Sequence, residues 1–94
     1  MASFEVAHVR VQGVDVILIV VDSAFGHKSK SEQLEALNGF QLAAHQAGLR
    51  GGVSMVWNQG GRVASFGPRN WHRVLKNLTW PWIAANINRR LTIG

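Results

Sequence analysis

The sequence predicts an α+β domain with elements in the order β-β-α-β-β-α-α, and three observations carry this. Two pairs of β-branched, apolar runs are each joined by a two-residue turn signal; the stretch between them has helical spacing with matching start and stop residues; and each of the two prolines opens a further helical pattern. With 94 residues, 47% apolar and 16% charged, the chain reads as a single domain over residues 1–94.

Phe4–Val11 and Val14–Val21 form the first predicted hairpin, with Gln12-Gly13 as its turn. That turn sets Arg10 opposite Asp15, Val9 opposite Val16 and Ala7 opposite Leu18, so opposite charges pair across the strands. One face then carries Ala7, Val9, Val11, Val14, Val16, Leu18 and Val20, and the other Phe4, Val6, His8, Ile17, Ile19 and Val21. Because both faces are largely apolar, the second strand is expected to be central and covered on each side. Ser29 and Glu32 have capping-box spacing, and Leu34, Leu37, Phe40, Ala44 and Ala47 recur at helical intervals. A helix over about residues 31–47 follows, ended by Gly48 and Leu49 in a Schellman arrangement. Gly39 within it points to close packing against the sheet. Gly52–Asn58 and Arg62–Phe66 make the second hairpin around Gly60-Gly61, with Asn58 opposite Val63, Trp57 opposite Ala64 and Met55 opposite Phe66.

Pro68 suits the first turn of a helix that Trp71, Val74, Leu75 and Leu78 continue to Thr79 or Trp80. Pro81 opens a last helix to about Arg90, with Ile83, Ile87 and Leu91 on one stripe. The expected architecture is two β-hairpins in a four-stranded sheet with a central helix and two short C-terminal helices. Three short helices cannot cover both faces of such a sheet, so an apolar face is expected to remain bare, and a homodimer is the economical remedy.

Charge divides unevenly along the chain. Met1–Leu49 holds three bases against five carboxylates, whereas Arg50–Gly94 holds seven bases and no carboxylate, within a net charge of +5. Unpaired cations repel one another and gain most from an external counter-charge, so the second half suggests an anionic partner. Arg62, Arg69, Arg73, Lys76, Arg89 and Arg90, with Trp82 as a stacking surface, are the candidate contacts for nucleic acid or an acidic protein. Trp71 and Trp80 lie beside apolar stripes and read instead as packing anchors. Arg89 and Arg90 also have a structural reason to stand where they do, at the end of the predicted last helix.

The segment from Asp22 to Ser31 joins a buried strand to a helix start, where free N–H groups favour an anion. Gly26, His27, Lys28, Ser29 and Ser31 are its candidate ligands. The same residues also read as a polar loop with an ordinary cap. The phosphate-loop pattern is not met, because His27 separates Gly26 from Lys28 and Val21 stands where the upstream glycine belongs. His8, His27, His45 and His72 lack ligand spacing, so no metal and no cofactor are expected. Asp22 and His27 could form an acid–base pair if the loop curls back, but no positioned nucleophile accompanies them. Cysteine is absent, which fits a reducing compartment. The apolar run Val16–Val21 is too short for a bilayer, and Glu5 stands where a secretory leader needs a basic region, so a cytoplasmic protein that engages no membrane is expected.

The functional expectation is therefore a small, non-catalytic, homodimeric module whose basic half contacts an anionic partner, foremost nucleic acid. A small-molecule or anion site, or a minor enzyme, at the Asp22–Ser31 loop is the first alternative, and a structural or protein-interaction role is the second.

Overall fold

The computed structural model describes residues 2–67, 75 and 77–93. Strand β1 (Ala2–Val11) turns into β2 (Val14–Val20), a 3-10 helix (Ser23–His27) leads to helix α1 (Lys30–Gln46), and β3 (Gly52–Gln59) turns into β4 (Arg62–Phe66). Helix α2 (Trp80–Ala85) and strand β5 (Arg89–Ile93) follow. The class is α+β, and the five strands form one mixed sheet in the order β4-β3-β2-β1-β5. Strands β2 and β3 run parallel through α1, and every other neighbouring pair is antiparallel.

Local chemistry decides the two hairpins. Gln12 (φ 52°) and Gly13 (φ 78°) both take left-handed conformations, as do Gly60 (φ 60°) and Gly61 (φ 88°), which is what a two-residue primed turn requires. The Asn58 side-chain oxygen accepts from the Gly61 amide at 2.8 Å and ties the second turn. Both predicted registers hold, with Arg10 opposite Asp15 and Trp57 opposite Ala64.

Helix α1 begins and ends as its sequence predicts. Ser29 and Glu32 form the reciprocal capping box. At the other end the Leu49 amide donates to Ala44 and the Gly48 amide to His45, both at 3.0 Å, the two bonds of a Schellman ending. The buried stripe differs from the expectation. Leu34 is half exposed at 50%, while Gln33, Phe40 and Ala44 are buried. Gln33 is tolerated inside because its Nε2 donates to the Phe25 carbonyl at 3.0 Å. Gly39 faces open space rather than the sheet, and nothing in the structure explains the glycine. Gln41 ties the helix to β3, accepting from the Val53 amide at 3.0 Å and donating to the Gly51 carbonyl at 3.3 Å.

The C-terminal expectation needs correction. The helix predicted from Pro81 to about Arg90 stops at Ala85, and Arg89–Ile93 is instead a fifth strand paired with β1. The physical reason is backbone satisfaction: β1 would otherwise be an open edge, and β5 supplies its missing hydrogen bonds. Asn88 starts the pairing. Its amide donates to the Val6 carbonyl at 3.0 Å, its side-chain oxygen accepts from the His8 amide at 3.0 Å, and its Nδ2 donates to the His8 carbonyl at 2.9 Å. Most of the predicted helix from Pro68 lies outside the described residues. Of its stripe, Leu75 is buried and Leu78 half-buried.

Both sheet faces are covered, which corrects the premise of the dimer expectation. On one face Val6, Ile17, Ile19, Val53, Met55, Trp57 and Leu91 pack with Phe25, Phe40 and Ala44 of the 3-10 helix and α1. On the other, Ala7, Val16, Leu18 and Val56 pack beneath Leu75 and Ile83, with Leu78, Trp80 and Trp82 around them. Among the described residues, the large apolar side chains left exposed, Val14, Leu34 and Leu42, are single surface residues rather than a bare sheet face. No helix among the described residues is long and apolar enough to cross a membrane.

Candidate functional site

The described cations among the candidate contacts, Arg62, Arg89 and Arg90, do not gather on one surface. Arg62 is exposed at the start of β4, one edge of the sheet, while Arg89 and Arg90 are exposed on β5, the other edge. Four strand spacings of about 4.8 Å separate these edges. Arg89 donates through Nη1 to the Asn88 carbonyl at 3.0 Å, and Arg90 stands opposite Glu5 on β1. Because they lie on a strand, Arg89 and Arg90 have no helix C-terminal dipole to answer, and that part of the expectation is withdrawn. Arg69, Arg73 and Lys76 lie outside the described residues.

The tryptophans separate by role. Trp57, 6% exposed, packs edge-on against Phe25 with ring centroids 5.5 Å apart, and its indole nitrogen lies beneath Gly26. A Cβ at Gly26 would come within 3.0 Å of that nitrogen, which gives the glycine a packing reason. Trp82 is half-buried and, like Trp80, packs against the core cluster of that sheet face. Trp80, expected only to pack, does so and also lines a groove of about 340 Å³ with Gly61, Arg62, Val63, Leu78, Thr79 and Pro81. This juxtaposition of Arg62 and Trp80 escaped the sequence reading because nearly twenty residues separate them along the chain.

Around the Asp22–Ser31 loop, the polar groups largely satisfy one another. The Asp22 carboxylate accepts from the Ala24 amide at 2.8 Å, the Phe25 amide donates to the Asp22 carbonyl at 2.9 Å, and the Lys28 amide donates to the Phe25 carbonyl at 3.1 Å. Both the Ser29 amide (3.2 Å) and the Ser29 hydroxyl (2.9 Å) donate to Glu32 Oε1, and the Glu32 amide returns a bond to Ser29 Oγ at 3.2 Å. These bonds from Ser29, its side chain first, lower the Glu32 pKa below the ordinary 4.5. A carboxylate of the chain itself therefore takes the donors that an anion would need at Ser29. Ser31 Oγ lies 3.5 Å from Ser29 Oγ, and Gly26, His27 and Lys28 are exposed. Asp22 and His27 are not hydrogen-bonded to each other, so the loop does not assemble the acid–base pair considered above.

His8 is structural, its Nε2 donating to the Arg50 carbonyl at 2.9 Å across the start of β3. No three His, Asp or Glu side chains among the described residues gather to hold a metal. The second cavity, of about 310 Å³, lies between the 3-10 helix, α1 and the strands, lined by Phe4, Val21, Asp22, Ala24, Phe25, Lys28, Ala36 and Phe40.

Fold and grooves together define a small α+β domain built on a five-stranded mixed sheet with a helical layer on each face. No family model, no curated protein and no solved structure matches the chain.

Proposed function

We propose that the chain is a non-catalytic binding module whose basic half takes single-stranded nucleic acid at the groove between the start of β4 and the entry to α2. The observation that carries the reading is that Arg62, an exposed cation with no ion pair among the described residues, and the half-buried Trp80 line one open groove. Arg62 can neutralise a phosphate while the indole offers a face on which a base stacks, and both belong to a half of the chain with seven bases and no carboxylate. The groove is open rather than enclosed by loops, which suits a polymer that enters and leaves along its length. The covered sheet faces remove the reason given for a dimer.

The test is binding of labelled single- and double-stranded DNA and RNA across a salt series. Single strands should bind with a steep salt dependence, and Arg62→Gln should lower the slope by about 0.7, the value per lost phosphate contact on a single strand. Because Arg62 is exposed, this variant should fold as well as the original. Absence of binding to every strand at about 50 mM salt, where phosphate contacts are strong, overturns the reading and leaves an acidic protein as the partner to seek.

A further inference from the structure

We infer that the pocket behind the 3-10 helix is a second binding site, for a small uncharged apolar molecule. The pocket measures about 310 Å³ and its surface is wholly apolar. Phe4, Val21, Ala24, Phe25, Ala36 and Phe40 supply that surface, with the Phe4 and Phe40 rings edge to face at 4.9 Å. The volume lies at the lower end of the range for small-molecule sites. Apolar cavities of ~150 Å³ already hold benzene, so about twice that space takes a body of one or two rings. The shape is set by the fold: β1, the end of β2, the 3-10 helix and α1 each contribute to the lining. Gln33 Nε2, donating to the Phe25 carbonyl at 3.0 Å, ties the 3-10 helix to α1 and holds the two walls together.

The chemistry of the wall selects the ligand. Asp22 and Lys28 also line the pocket, yet both turn only carbon atoms to it. The Asp22 carboxylate accepts from the Ala24 amide at 2.8 Å, and the exposed Lys28 lays its stem along the wall while its ammonium stays in water. These two rim charges have opposite signs, neither has an ion pair among the described residues, and Lys28 acts on the neighbouring Glu32 as well, so the rim favours neither an anion nor a cation. A polar group carried into the pocket would give up its bonds to water and find no partner there. An apolar body loses nothing, and it removes from water the parts of Phe4, Val21 and Ala36 that the chain itself leaves only half-buried.

The experiment titrates toluene, benzamide, benzoate and benzylammonium, which share one ring and differ in its substituent, into the protein while following backbone and methyl resonances. Naphthalene serves as the larger apolar probe. Toluene and naphthalene should saturate with shifts centred on Phe4, Val21, Ala24 and Phe40, naphthalene the tighter of the two. Benzamide, benzoate and benzylammonium should each bind about tenfold or more weakly than toluene, the scale of a polar group left without a partner. The two ions should agree within about fivefold, the most that one exposed charge contributes. Ala36→Leu fills the pocket from α1 and Ala24→Leu from the 3-10 helix, and each should weaken both apolar probes by about tenfold or more. Circular dichroism shows that the variants are folded, and either one suffices if the other is not. No saturable shift for toluene or naphthalene up to their solubility in water overturns the site, as does binding that the folded variants leave untouched. Benzamide or either ion binding as tightly as toluene overturns the assignment to an uncharged apolar ligand.

Discussion

Ile83 offers the sharpest test of how the second sheet face is covered. It is fully buried on α2 and packs with Ala7, Val16, Leu18, Val56 and Leu75. Ile83→Ala removes three carbons from this layer, and at about 0.8 kcal/mol per buried carbon group the transfer loss alone is about 2.4 kcal/mol. A residual cavity adds to this, bringing the expected cost to about 3–4 kcal/mol, within the range for such core truncations. For a chain of this size that is a large part of a total stability of roughly 5–14 kcal/mol, and it should lower Tm by roughly 15–25 °C. Urea and thermal unfolding would be followed at two protein concentrations about tenfold apart, because a face covered by a second chain makes the midpoint depend on concentration. Leu42→Ala, at a position 59% exposed, is the surface control and should stay within about 0.5 kcal/mol. A cost for Ile83→Ala no larger than the control's, or a midpoint of the original protein that climbs with concentration, would refute packing of α2 on its own sheet.

Two further outcomes follow from α1. Gly39 lies inside the helix with open space where a Cβ would stand, so Gly39→Ala should raise stability by about 0.5–1 kcal/mol, read as a higher urea midpoint; a lower midpoint would mean that the site is not free. The lowered Glu32 pKa implies stability that is fully present above the ordinary 4.5 and is lost as pH falls through the lowered folded value. Acid titration of Tm should therefore fall less steeply for Glu32→Gln than for the original protein below pH 4.5, and identical slopes would deny the carboxylate its role in the cap.

Where a few neighbouring residues decide conformation, the sequence alone determined the result. Gln12-Gly13 and Gly60-Gly61 have the turn chemistry that sets hairpin register, and Ser29, Glu32, Gly48 and Leu49 carry the signals for both ends of α1. The uneven distribution of charge is likewise a property of composition. Tertiary structure decided what depends on partners distant in the chain. Arg89–Ile93 has helical spacing with Ile83 and Ile87, yet it becomes a strand because β1 presents unpaired backbone groups more than eighty residues earlier. The covering of both sheet faces, which removed the bare surface that suggested a dimer, depends on where Leu75 and Ile83 land rather than on their spacing. The candidate sites divide in the same way. The loop residues were visible as a group, but only folding showed that Glu32 occupies the Ser29 donors. Arg62 and Trp80 meet because the β4 turn and the entry to α2 lie side by side, a proximity that linear spacing does not encode.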